Sequence, residues 1–125
     1  MSKSFILAVG LLLGSAVPVL AQGASACLPP IAPAPIDGAT ATEDQLRGAN
    51  RDVKQFLADS DAEQDCLGKE IDDAKAKAAA DKKPVDQSIV AALVAKINDN
   101  QKMKEKVGGE FNNAVGIYKK AHPKP

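Results

Sequence analysis

Aromatic residues are scarce in this 125-residue chain. It has no tryptophan, one tyrosine and three phenylalanines, and Phe5 lies in an apolar run at the N-terminus. Small domains bury little surface even with large side chains, and alanine supplies much of the apolar content here. Light side chains of this kind suit helices that lie close together better than a thick globular core, so we expect an all-α protein.

Residues that carry chemistry are equally few. The only histidine, His122, stands between alanine and proline in a basic tail, where a solvated side chain is the simpler interpretation. Two cysteines and one histidine make no zinc pattern, and the alternating acids from Asp59 to Asp65 lack the glycine and final glutamate of a calcium loop. Nucleotide-binding, nucleophile-elbow and HExxH motifs are also absent from the sequence. We expect no enzyme, no cofactor and no metal site.

The N-terminus predicts export. Lys3 precedes an apolar run from Phe5 to Leu20, which small residues follow. The run is too short to span a bilayer but has the form of a signal peptide. We assign residues 1–21 to it, with cleavage after Ala26 as the alternative, and expect a periplasmic or secreted protein without a membrane span after processing.

The two cysteines leave two possibilities open. Paired cysteines in an exported chain are usually oxidised, which predicts a disulfide between Cys27 and Cys66. Residues 23–27, however, also loosely match the motif that directs lipid attachment to a cysteine, so a lipoprotein anchored through Cys27 is the alternative.

Three segments follow the signal peptide. Prolines at four positions between residues 29 and 35 exclude a helix and predict an extended strap over residues 22–41. Residues 42–120 carry apolar side chains at three- and four-residue steps, and they predict two long helices joined near Pro84, which we place in the first turn of the second. Residues 121–125 form a basic tail. The fold expected is a long antiparallel helical hairpin with the strap folded back along it.

The apolar stripes of the two helices were assigned from these steps. The stripe of the first begins at Leu46, and the stripe of the second comprises Val85, Ile89, Leu93, Ile97, Asn100, Met103, Val107, Phe111, Ala114 and Tyr118. Ser60 and Glu63 interrupt the first stripe and Asn100 the second. Either these polar residues set the register of the hairpin or they line a cavity. Residues 60–63 also fit a capping box, so a break there and a three-helix fold remain open. Gly108 and Gly109 predict a kink or a close approach of another backbone.

Charge is sorted along the chain although the net charge is zero. Residues 37–73 hold 11 acidic and 4 basic side chains, whereas residues 74–125 hold 11 basic and 5 acidic ones. The halves should attract each other and fix their orientation. Balanced charge, export and few aromatics argue against a nucleic-acid partner. Because a two-helix hairpin has little interior, we expect a second copy to cover apolar surface at Leu57, Val90, Val115 and Ile117.

The segment from Pro33 to Glu43, with Cys27 before it and Cys66 in a helix after it, resembles a group of small exported bacterial proteins of uncharacterised function. The resemblance implies the strap, the disulfide and the hairpin together, and it transfers no activity and no site residue.

Two functional hypotheses follow. The first is a non-enzymatic exported helical protein with a protein-interaction or structural role in the envelope, binding itself or an envelope protein. The second is a small-molecule or ion-binding carrier with a site at Ser60, Glu63 and Asn100.

Overall fold

The structure is a computed structural model that describes residues 26–124. The predicted signal peptide, residues 1–21, lies outside this range. Within it the chain forms two α-helices, α1 (Glu43–Ala80) and α2 (Gln87–Ala121), and no strand. The helices pack against each other in antiparallel fashion, because early residues of α1 contact late residues of α2. The predicted all-α hairpin is therefore confirmed, and the three-helix alternative is wrong.

Helix α1 begins at a capping box. The Thr42 side chain accepts a hydrogen bond of 3.2 Å from the Gln45 backbone N–H, and the Gln45 side chain accepts one of 2.8 Å from the Thr42 backbone N–H. Two N–H groups without helical partners are thereby satisfied. The Ser60 capping box is unused since α1 runs through it: the apolar face on both sides favours one continuous helix.

The turn between the helices differs from the sequence prediction at Pro84. Helix α1 ends at Ala80 in a Schellman motif. Just beyond it Lys82 has a φ of 51°, and the Lys83 N–H donates to the Ala78 carbonyl at 2.9 Å. Helix α2 then begins at Gln87 with Asp86 as its N-cap. Pro84 and Val85 precede this cap, so they belong to the connection and not to the first turn, because the Asp86 side chain offers a better helix start.

The interface between the helices follows a seven-residue repeat. Buried residues recur at this spacing in both helices, at Leu46, Val53, Ser60 and Leu67 in α1 and at Leu93, Asn100, Val107 and Ala114 in α2. This is the spacing of a coiled coil, in which the contact alternates between three- and four-residue steps. Two apolar clusters result, one around Leu67 and Leu93 and one around Phe56 and Val107, with polar residues between them.

The same repeat corrects the stripe assigned to α2. Ile89 and Met103 are 44% and 42% exposed, whereas Val90 packs against the Leu67 cluster and Lys104 is half-buried. The sequence assignment followed the apolar side chains, but the packing keeps strict seven-residue phase. Met103 therefore lies one position outside the interface. Val90 and Leu57, which we expected a second copy to cover, already pack on the two clusters.

Residues 28–41 lie outside the helices and run along the hairpin. Burial follows a three-residue period, with Cys27 buried and Pro30, Pro33 and Ile36 half-buried, while most residues between them are exposed. Three residues per turn is the period of polyproline II. At the far end Gly38 lies directly against the backbone of Ala114 in α2. We call residues 26–41 the strap; residues 22–25 of the predicted strap fall outside the described chain.

Candidate functional site

The first residues of the strap are joined covalently to the middle of α1. Cys27 and Cys66 form a disulfide with a Cα–Cα distance of 5.8 Å, so this pairing is confirmed. Glu70, one helical turn beyond Cys66, accepts a hydrogen bond of 2.8 Å from the Ala26 backbone N–H, and its Oε1 lies 3.4 Å from the Cys27 sulfur. The carboxylate and the two sulfurs lie within 4.8 Å of one another. In the disulfide the sulfurs are not thiolates, which are the form that binds metal.

The polar residues predicted at the centre of the hairpin lie side by side, at the same height along the two helices, which we call the polar level. The Asn100 amide group donates a hydrogen bond to Oε2 of Glu63, and Asn100 Oδ1 accepts one of 2.8 Å from Gln64. Gln64 also donates to Gln101 at 3.2 Å. The amide of Asn100 thus both donates to and accepts from side chains of α1, and these bonds fix the register of the two helices.

Ser60 lies at the same level but takes no part in this network. Its side chain is fully buried, and its hydroxyl has no hydrogen-bond partner in the described part of the chain. Ser60 and Asn100 therefore do not satisfy each other. Close by, Lys104 of α2 forms an ion pair with Asp61 of α1, which adds a further cross-link to the polar level.

A cleft opens beside this network on the side of the hairpin that carries the strap. Its volume is about 320 Å³, which is within the range of small-molecule sites. The lining combines apolar and polar side chains from the strap and both helices: Cys27, Pro29, Pro30, Phe56, Glu63, Lys96, Asp99, Asn100 and Met103. Glu63 and Asn100 thus line the cleft, and Ser60 does not.

Glu63 is the unusual member of this lining. It is only 8% exposed, and its one hydrogen bond within residues 26–124 comes from Asn100. No lysine, arginine or histidine of the described chain forms an ion pair with it. Buried carboxylates are normally paired, because removing a charge from water is costly.

Sequence reasoning missed several residues of the cleft, among them Phe56, Lys96, Asp99 and Met103. The seven-residue repeat was the available signal. Once Asn100 is placed at the interface, Lys96 and Met103 lie beside it, on its strap side. The prolines of the strap could not be added in the same way, because their place depends on the path of the chain between Cys27 and Gly38.

Comparison with known proteins found no match to this chain among family models, curated proteins or solved structures. The resemblance to small exported bacterial proteins therefore stays a prediction. Within the described residues, neither helix combines the length and the apolar character needed to cross a bilayer.

Proposed function

We propose that this chain is a non-enzymatic exported helical protein that acts by presenting its strap to a protein partner in the cell envelope or outside the cell. The proposal rests on one observation, the exposure of Leu28 and Ile31. Their exposed fractions are 85% and 92%, although the strap around them is held by the disulfide at one end and by the Gly38 contact at the other.

A restrained segment with exposed aliphatic side chains favours binding. Ordering a flexible segment at an interface costs free energy, and a segment that is already held avoids part of this cost. Leu28 and Ile31 are three residues apart, which places them on one edge of a polyproline II segment. Their neighbours Pro30 and Pro33 face the hairpin, so the aliphatic edge remains available to a partner.

Photo-crosslinking in the exporting host tests this proposal. A benzophenone side chain in place of Ile31 should give a discrete crosslinked product, while the same group in place of the exposed Lys75 on α1 serves as the matched control. Leu28→Ser in the first variant should reduce the yield. A product of twice the chain mass would identify a second copy as the partner. Equal yields at both positions would contradict the proposal.

A small-molecule carrier is the second candidate, and the cleft beside Glu63 and Asn100 favours it. The structure provides an apolar wall and a few polar groups, which is the usual make-up of a ligand site. Native mass spectrometry of the protein purified from its exporting host, with the disulfide intact, checks this candidate. A bound small molecule supports it, and a chain of bare mass after gentle purification argues against it.

The lipid-anchored alternative requires the sulfur of Cys27. A thioether at this atom and the bond to Cys66 exclude each other, because sulfur forms only one of the two. The intact mass of the purified chain, with and without reductant and thiol labelling, distinguishes them. An acylated chain with a free Cys66 would mean that the strap is anchored in a membrane and not to α1.

A further inference from the structure

The cleft beside Glu63 has a chemistry that selects one class of ligand. We propose that it binds an organic cation, an ammonium or guanidinium group carried on an apolar body, with the positive group at the Glu63 carboxylate. This inference rests on the carrier candidate and is independent of the partner proposed for Leu28 and Ile31.

The charge of the cleft is the first argument. Two carboxylates, Glu63 and Asp99, face one ammonium group, Lys96. Asp99 already has a cation near it, since Lys102 lies 3.6 Å away. Glu63 forms no ion pair within the described chain, and it is the more deeply buried of the two. A cation that enters the cleft would therefore pair with Glu63, where low exposure makes the attraction stronger than at the surface.

The fixed position of the Glu63 side chain is the second argument. Asn100 donates to its Oε2, and Gln64 in turn holds the Asn100 amide through Oδ1. This chain of hydrogen bonds orients the carboxylate before any ligand binds. The remaining oxygen, Oε1, accepts no hydrogen bond from residues 26–124 and is not an enclosed atom, so a ligand can reach it. Carboxylate oxygens form their strongest hydrogen bonds with charged donors.

The walls of the cleft argue for an organic cation over a metal ion. Calcium takes six to eight oxygen ligands and magnesium keeps an octahedral shell. Here the Oδ1 of Asn100 is already an acceptor for Gln64, and the neighbours of Glu63 include Phe56, Met103 and two prolines. These residues offer no oxygen from their side chains, but they provide the apolar contact that a ligand body needs. Met103 is 42% exposed, and covering it would add to the affinity.

Titration of the full, processed chain with hexylammonium, whose charged group donates hydrogen bonds, tests the inference when it is monitored by NMR and calorimetry. We expect saturable binding with shifts at residues that line the cleft. Hexanol, which has the same tail without the charge, should bind at least tenfold more weakly. Glu63→Gln keeps the hydrogen bond from Asn100 and should weaken binding of the ammonium probe at least tenfold, whereas the exposed control Glu105→Gln should leave it unchanged.

A second variant covers the case in which Glu63→Gln does not fold. Met103→Lys changes an exposed side chain and places a tethered ammonium in the cleft. It should abolish binding of the probe and raise the melting temperature. Equal binding of hexylammonium and hexanol, or binding unaffected by both variants, would overturn the inference. A neutral or anionic molecule found in native mass spectra would overturn it too, yet it would leave the carrier candidate standing.

Discussion

At Gly38 the strap lies directly against the backbone of α2. A Cβ at this position would overlap the carbonyl oxygen of Ala114, which belongs to the helix backbone and cannot rotate away as the end of a side chain could. Overpacking of this kind usually costs about 1–3 kcal/mol.

We therefore predict that Gly38→Ala lowers the free energy of unfolding by about 1–3 kcal/mol, measured by urea denaturation and circular dichroism. Gly68→Ala is the matched control, because a Cβ there meets no atom within 4 Å and alanine favours a helix interior by about 1 kcal/mol. The control should be more stable than the natural chain. A Gly38 variant of unchanged stability would show that the strap does not rest on α2.

Ser60 is the second residue at which a single substitution is informative. Its hydroxyl is fully buried without a partner, and an unsatisfied buried polar group costs about 1–3 kcal/mol. Ser60→Ala should therefore raise the free energy of unfolding by about 1 kcal/mol, which urea denaturation would show as a higher midpoint.

Ser88→Ala provides the contrast. Ser88 donates its hydroxyl to Asp86 at 2.6 Å, so this variant should lose stability. If Ser60→Ala is destabilising instead, the hydroxyl has a partner that the described residues do not supply, for example a bound water.

At the scale of the helices, Asp86 sets the start of α2. It accepts hydrogen bonds from the hydroxyl and the backbone N–H of Ser88, at 2.6 and 2.9 Å. These bonds, the hydroxyl first, hold the pKa of the Asp86 carboxyl below its usual value. A lowered pKa in the folded state means that the stabilisation is complete above the unfolded-state pKa and is lost as the pH falls through the folded-state value.

We accordingly expect stability to fall in the acid range partly through Asp86. Asp86→Asn keeps a good N-cap, because asparagine caps helices about as well as aspartate, but it removes the titrating group. Urea midpoints measured from pH 2 to pH 7 should show a shallower acid slope for this variant than for the natural chain, with similar stability reached at low pH. Identical slopes would mean that other carboxyls account for the acid sensitivity.

The helices also show how far the sequence leads. The start of the helical region at residue 42 and the interruption of the two stripes by Ser60, Glu63 and Asn100 follow from residue types and spacing alone. The outward position of Met103 does not, because a one-residue difference in phase is decided by packing against α1. The cleft was equally out of reach, since its third wall is the strap, and proline composition predicts an extended segment without its path.

At the scale of the whole molecule, the disulfide between the only two cysteines closes a covalent loop. Cys27 and Cys66 are 39 positions apart, and on the chain-entropy model a loop of this size stabilises the fold by about 4 kcal/mol. Engineered bridges often give less than this model predicts, because they distort the native geometry.

The double variant Cys27→Ser, Cys66→Ser should therefore lose up to about 4 kcal/mol in the free energy of unfolding, measured by urea denaturation. The natural chain after complete reduction is the control and should behave in the same way as the double variant. Equal midpoints for the oxidised natural chain and the double variant would mean that the strap contributes nothing beyond its noncovalent contacts.

The contact between Gly38 and Ala114 also has a consequence for the order in which the molecule assembles. The two residues lie near opposite ends of the described chain, and contacts between distant segments form late because their loops must close first. During synthesis the strap emerges before either helix. The part of α2 that it contacts, at Ala114, is made only when most of the chain is complete. The strap is thus made before both helices but reaches its final place only after them, and a chain that stops before Ala114 offers it no backbone to pack against.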